Sequence, residues 1–269
     1  MKDKRILYVS SELVPYLPET EMSVASFEVA RTVHNLGGQT RIFMPRFGLI
    51  NERRHQLHEV IRLSGMNIIV DDMDMPLIIK VASIPKERMQ VYFIDNDEYF
   101  KRKAIFTDED DKLFDDNAER TIFFAKGVVE TVKKLNWEPD IIHIHGWMAS
   151  ILPLYLKAYF KDEPLFNESK IVTSVYENGF EGSLIAGMID KIKFDIQEED
   201  LISILKEPTH LNLQKLAIQN SDAVMFGSDS IPSELEEFIK SLNKKVLKFV
   251  PIEEMEEPLT DFYLNQVLQ

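Results

Sequence analysis

His143 and His145 stand two residues apart in the run Pro139–Ser150, PDIIHIHGWMAS. The isoleucines around them predict a buried parallel strand over Asp140–His145 that ends at the histidines. Side chains two apart on a strand share a face, so both imidazoles point the same way while Ile142 and Ile144 pack on the other side. Open α/β sheets place ligands at the carboxyl ends of such strands. Three kinds of chemistry suit the pair: hydrogen bonding to a polar ligand, zinc ligation, or burial with backbone partners. Zinc needs further ligands, and no His, Asp or Glu stands at a diagnostic spacing, so no metal is expected.

Other residues invite the same question. Asp116, Asn117 and Arg120 open a helical stretch, where an Asp caps free backbone N–H groups. Pro18, Glu19, Thr20 and Glu21 lie between the first strand and the first helix. There Thr20–Ser23 reads as a capped helix start, and a glutamate near a helix N-terminus is mildly favourable. No nucleophile has a base beside it. There is no G-x-G-x-x-G and no Walker loop, so no cofactor is expected. The chain has no cysteine, which excludes disulfides, thiolate metal sites and thiol catalysis.

The elements that must position these residues alternate. Strand Arg5–Ser10, a helix carrying Met22, Ala25, Val29, Val33 and Leu36, and strand Thr40–Met44 make a βαβ unit. Gly37-Gly38 ends its helix. Met66–Val70 and Pro76–Ser83, around the acidic turn 71–74, predict an antiparallel hairpin. A strand over Gln90–Ile94 and an acidic loop over Thr107–Asp116 follow. Then come a helix over Asp115–Leu135, the histidine strand, and a helix over Met148–Tyr159 with Pro153 in its first turns. A strand at Lys170–Val175 leads into a Gly-rich irregular stretch over 176–187. Helical spacing marks Lys191–Pro208 and Leu211–Asn220. A strand over Ala223–Gly227, a helix over Ser233–Ser241, the run Lys245–Val250 and a last amphipathic segment complete the chain. The expected fold class is α/β, a Rossmann-like doubly wound, mostly parallel sheet with a β-hairpin insertion.

The chain has 269 residues, 45% of them hydrophobic, which suffices for a sizeable core. Its net charge of -14 is diffuse and repels polyanions. The stretch Arg46–Arg54 is broken by apolar and acidic residues, so no nucleic-acid partner is expected. Ile6-Leu7-Tyr8-Val9 is too short for a signal-peptide core, and no run approaches a membrane span of ~18 residues. A soluble, cytoplasmic protein without a membrane partner is the expectation.

Three ordered patches carry a family resemblance. They are ILYVSSELVP over 6–15, DDNAERTIFF and PDIIHIHGWMAS within 115–150, and KIVTSVYENGFEG with LQKLAIQNSDAVMFGS ending at Ser228. Their order and spacing resemble the amino-terminal half of bacterial glycogen synthases and plant starch synthases. The resemblance implies a GT-B amino-terminal domain over residues 1–230, with 231–269 as a carboxy-terminal extension packed on it. The family activity it implies is transfer of glucose from ADP-glucose to an α-1,4-glucan. On this view the chain ends where the second domain would begin, without that domain's glutamate and its Arg/Lys pair.

The resemblance also assigns residues. His145 is the carry-over of the histidine that lies close to the transferred glucose. Glu12, His143, Trp147, Asp116, Asn117, Arg120 and Asn178 become sugar or glucan-cleft candidates. The family's aspartate before the tryptophan is Gly146 here. Its Thr-x-His-Asn histidine is Glu177, and the glycine of its Leu-Lys-x-Gly helix is Ala217. The family's phosphate loop carries a lysine and paired glycines, which let the backbone approach a diphosphate. The aligned residues are Pro18, Glu19, Thr20 and Glu21, so that donor loop reads as degenerate. Pro18 has neither charge nor a backbone N–H. The chain is therefore expected not to transfer glucose alone. The other expectation is a non-catalytic glucan-binding or regulatory protein of glycogen metabolism. Its partners would be α-glucan or maltooligosaccharide, and a protein partner or a second copy.

Overall fold

The computed structural model describes residues 1–185 and 187–269. The strands are β1 (Arg5–Ser10), β2 (Gln39–Pro45), β3 (His58–Glu59), β4 (Met66–Val70), β5 (Met73–Ser83), β6 (Gln90–Asp95), β7 (Ile141–His145), β8 (Lys170–Val175), β9 (Ala223–Phe226) and β10 (Lys245–Leu247). The helices are α1 (Glu21–Asn35), α2 (Glu52–His55), α3 (Asp97–Phe100), α4 (Asn117–Leu135), α5 (Leu152–Lys157), α6 (Met188–Lys193), α7 (Glu199–Ile202), α8 (His210–Gln219), α9 (Ser233–Ser241) and α10 (Glu256–Asp261).

The strands form one sheet in the order β10-β9-β8-β7-β1-β2-β6-β5-β3, with β4 paired to β5. Every pairing from β10 to β6 is parallel. The expected hairpin is β4–β5, and β5 joins the sheet antiparallel to β6. This is the α/β architecture expected. β1 sits near the centre because Ile6, Leu7, Tyr8 and Val9 are buried on both faces. The register sets Ser10 opposite His145 and His145 opposite Ser174. One row of polar side chains thus ends three neighbouring strands.

Two elements differ from their expected form. The helix expected over 148–159 is a 3-10 turn, Trp147–Ala149, followed by the short α5. Pro153 lies in the first turn of α5, where its missing N–H costs nothing; further along it would break the helix. The helical stretch expected over 191–208 is split into α6, α7 and a 3-10 turn, Ser203–Lys206. Between α6 and α7, Asp195 turns inward. Its carboxylate accepts from Lys126 Nζ at 2.7 Å and from the Tyr155 hydroxyl at 2.8 Å. A buried ion pair with extra hydrogen bonds holds the chain there against continuing as a helix.

The last amphipathic segment is α10 continuing into a π-helical turn, Phe262–Val267. Met255, Leu259, Phe262, Tyr263 and Val267 are buried in the main core. The segment is therefore held by apolar burial. Phe262→Ala is expected to destabilise the protein by about 3–5 kcal/mol in urea unfolding. A loss below about 1 kcal/mol would mean that the tail is only loosely attached.

Candidate functional site

The carboxyl ends of β1, β7, β8 and β9 converge on the polar row. His143 and His145 are fully buried, with ring centroids 4.3 Å apart. His143 Nδ1 meets the Tyr263 hydroxyl at 2.5 Å, and its Nε2 meets Ser174 Oγ at 2.7 Å. His145 Nδ1 meets the Tyr176 hydroxyl at 2.7 Å, and its Nε2 has no partner among the described residues. The partners of these rings are side chains, not the backbone. Burial holds the His143 imidazole well below its ordinary range, with His145 adding to the effect. Burial alone lowers His145 to about 3. Both rings are neutral at physiological pH.

The start of α1 is built as a cap. Thr20 Oγ1 accepts from Ser23 N at 3.0 Å, and Ser23 Oγ accepts from Thr20 N at 2.8 Å. This reciprocal pair satisfies two backbone donors that a helix otherwise leaves free. Thr20 also donates to Glu12 Oε2 at 2.8 Å, and Ser228 donates to Glu21 Oε2 at 2.5 Å. Burial raises the Glu12 carboxyl, an effect that the Thr20 bond opposes. The Thr20 and Ser23 backbone donors at this helix end thus meet side chains of the protein itself.

Gly146 has φ +83°, and a Cβ there would stand 2.1 Å from Ser11 Oγ and 2.6 Å from Met22 Sδ. A side chain at that position collides with α1. Gly179 is similarly required, because a Cβ there would lie 2.3 Å from the His210 ring.

Two cavities border this region. The larger is a cleft of about 1160 Å³ between the loop 102–114, the 3-10 turn at Trp147 and the stretch 176–181. Glu12, Trp147 and Asn178 line it, as do Phe106, Phe114 and Phe180. Trp147 lies 4.6 Å from Phe106 and 5.0 Å from Phe180, centroid to centroid. The smaller cavity, about 460 Å³, lies between the start of α1, the ends of β8 and β9, and the segment 249–255. His145 lines that one.

Asp116, Asn117 and Arg120 stand behind the cleft wall. Asp116 precedes α4, but its carboxylate makes no cap bond; it pairs with Arg102, which does line the cleft. This corrects the capping expectation: the guanidinium outbids the helix N–H groups. Asn117 Nδ2 donates to Phe106 O at 2.9 Å, and Arg120 Nη1 donates to Asn117 Oδ1 at 2.6 Å. Arg120 is fully buried within 5.5 Å of the rings of Phe47, Phe100 and Phe114, and burial lowers it to about 9. These three residues hold the cleft loop. His143 lies deeper still and lines neither cavity. No local pattern marks Tyr263, which meets His143 across 120 positions. The aromatic residues at 106, 114 and 180 carried a signal as apolar residues in otherwise polar loops.

Comparison with known proteins follows this geometry. The model of the starch synthase catalytic domain matches residues 5–245. The chain belongs to that family. The glycogen synthase of Chlorobium luteolum is 33% identical over 224 residues, covering 82% of this chain and 45% of that protein. The glycogen synthase of Chlorobium limicola is 33% identical over 219 residues, covering 81% of this chain and 44% of its own length. The chain thus spans less than half the length of these relatives. The catalytic domain of Starch Synthase IV from Arabidopsis thaliana, bound to ADP and acarbose, superposes with a TM-score of 0.74. That match covers 93% of this chain and 52% of the other at 15% identity, a likeness of fold. No described helix is long and apolar enough to cross a membrane.

The buried imidazoles set a pH dependence. Folded values below 6.5 for His143, His145 and His210 mean that the unfolded chain binds more protons as pH falls below 6.5. Stability is therefore lost on acidification, by up to about 1.4 kcal/mol per ring per pH unit. The raised Glu12 carboxyl acts in the opposite sense, while the lowered His55 adds to the loss, one group against four. Urea midpoints are expected to fall steadily from about pH 7 to pH 5. A flat profile would mean that the rings are not buried neutral.

Proposed function

We propose that this chain binds an α-glucan or maltooligosaccharide in the aromatic cleft and does not transfer glucose by itself. The observation that carries this reading is a contrast within one face. The cleft presents Phe106, Phe114, Trp147 and Phe180 beside Glu12 and Asn178. Aromatic faces accept the C–H faces of sugar rings, and carboxylates and amides accept or donate to hydroxyls. The start of α1 next to it carries Glu19 and Glu21, with Pro18 where the family has its lysine. A sugar-nucleotide diphosphate needs donors and positive charge there. Like charges ~4 Å apart instead repel by ~1 kcal/mol in water and several times that in a shielded cleft.

In this reading Trp147, Asn178 and Glu12 touch the glucan. Asp116, Asn117 and Arg120 position the loop that closes the cleft. Residues 231–269 form an extension of the same domain, and the protein works in the cytoplasm. Family membership favours a second reading, an ADP-glucose-dependent glucosyltransferase in which His145 lies close to the transferred glucose and a partner chain supplies the donor site. Incorporation of labelled glucose into glycogen by the purified chain alone would overturn the first reading, and incorporation only when a separately purified carboxy-terminal synthase domain is added would establish the second.

The glucan reading has an internal probe. The chain has two tryptophans; Trp147 lines the cleft, while Trp137 packs under Arg41 at 4.7 Å. Maltoheptaose is expected to change the intrinsic fluorescence saturably. Phe180→Ala is expected to weaken binding about threefold to tenfold. An unchanged emission up to about 10 mM sugar, a concentration that reveals even weak sites, would remove the proposal.

A further inference from the structure

The smaller cavity is chemically unlike the cleft. Its walls are apolar: Val24, Ala25 and Val29 of α1, Met225 and Phe226 of β9, and the segment Phe249–Ile252 above. The charged residues that line it are Glu19, Glu21 and Glu253, and no lysine or arginine does so. None of the three has a basic partner within 4.0 Å among the described residues; Glu21 is held only by the Ser228 hydroxyl. At the inner end stands His145, fully buried, with Nε2 unpartnered.

The Tyr176 hydroxyl bears on the tautomer of that ring. Burial raises the Tyr176 hydroxyl, so it stays protonated. His145 Nδ1 is its hydrogen-bond partner at 2.7 Å. A neutral imidazole has one acceptor nitrogen. When the phenol donates to Nδ1, the proton stands on Nε2, a buried donor without a partner among the described residues. An unmet buried donor of this kind is unfavourable and marks where an acceptor belongs.

We propose that this cavity binds a small amphipathic organic cation, with an ether-type or carbonyl oxygen directed at His145 Nε2 and an ammonium group at the rim of glutamates. The volume of about 460 Å³ is that of a small-molecule site. The rings of Tyr176 and Phe249 flank the apolar body and attract an ammonium group, whereas the Lys248 ammonium already lies 4.5 Å over the Phe226 ring. An anion is disfavoured by all three carboxylates. The site shares Thr20, Glu21 and Tyr176 with the wall of the glucan cleft but does not depend on the glucan reading.

Four probes of one shape test this. They are 2-phenoxyethylammonium, 2-phenoxyethanol, phenoxyacetate, and 3-phenylpropylammonium, which replaces the ether oxygen by a methylene. Amide NMR titration of the whole chain reads affinity from shifts at Gly227 and Phe249. The phenoxyethylammonium ion is expected to bind at least about tenfold more tightly than phenoxyacetate and about threefold more tightly than phenylpropylammonium. Glu19→Gln with Glu253→Gln, both at exposed positions, is expected to weaken the ammonium probes about threefold to tenfold and leave phenoxyethanol unchanged. Equal affinities across the charge series would overturn the proposal. So would the absence of saturable shifts at those residues up to about 20 mM phenoxyethylammonium.

Discussion

The two stacked imidazoles of β7 occupy the point where the rest of the molecule meets. They sit side by side in the interior, uncharged, on a strand whose neighbours on both sides are parallel and buried. Neutral rings in that position need partners at their nitrogens. Ser174 and Tyr176 come from β8 and the residue after it, and Tyr263 comes from the carboxy-terminal segment. Satisfying His143 therefore requires the tail to cross the end of the sheet, and Tyr8 lies alongside, its hydroxyl 3.5 Å from that of Tyr263. Local sheet register and distant tail packing are coupled through one polar cluster, whose failure would leave buried groups unpaired.

Around this cluster the surface divides by chemistry. Trp147 follows the histidine strand directly and becomes the floor of an aromatic cleft, with its loop held by Asn117 and the Asp116–Arg102 pair. The start of α1 is turned to internal service: Thr20 and Ser23 cap each other, and Glu12 and Glu21 take hydroxyl hydrogens from Thr20 and Ser228. Met22 and Ser11 fill the space beside Gly146. Residues 18–23 and Gly146 are thus parts of one packing arrangement around the start of α1.

Much of this was legible in the sequence. The βαβ start, the hairpin, the strand ending at His145 and the capped start of α1 follow from apolar period, β-rich runs and side-chain capping chemistry, all local properties. The family followed from three ordered patches. What stayed illegible depends on long-range contacts. Nothing near position 263 marks it as a partner of His143. The break at Asp195 depends on Lys126 in a helix far back in the chain. Asp116 had the residue type of a cap but was claimed by Arg102, a tertiary contact that overrides a local preference.

In the proposed function the start of α1 does not receive a sugar-nucleotide diphosphate. Calorimetric titration of the purified chain with ADP-glucose tests it most directly. No binding heat is expected up to about 1 mM nucleotide, because Thr20 and Ser23 cap each other and the neighbouring side chains are carboxylates. Binding at micromolar concentration would contradict it and would return the chain to the catalytic reading.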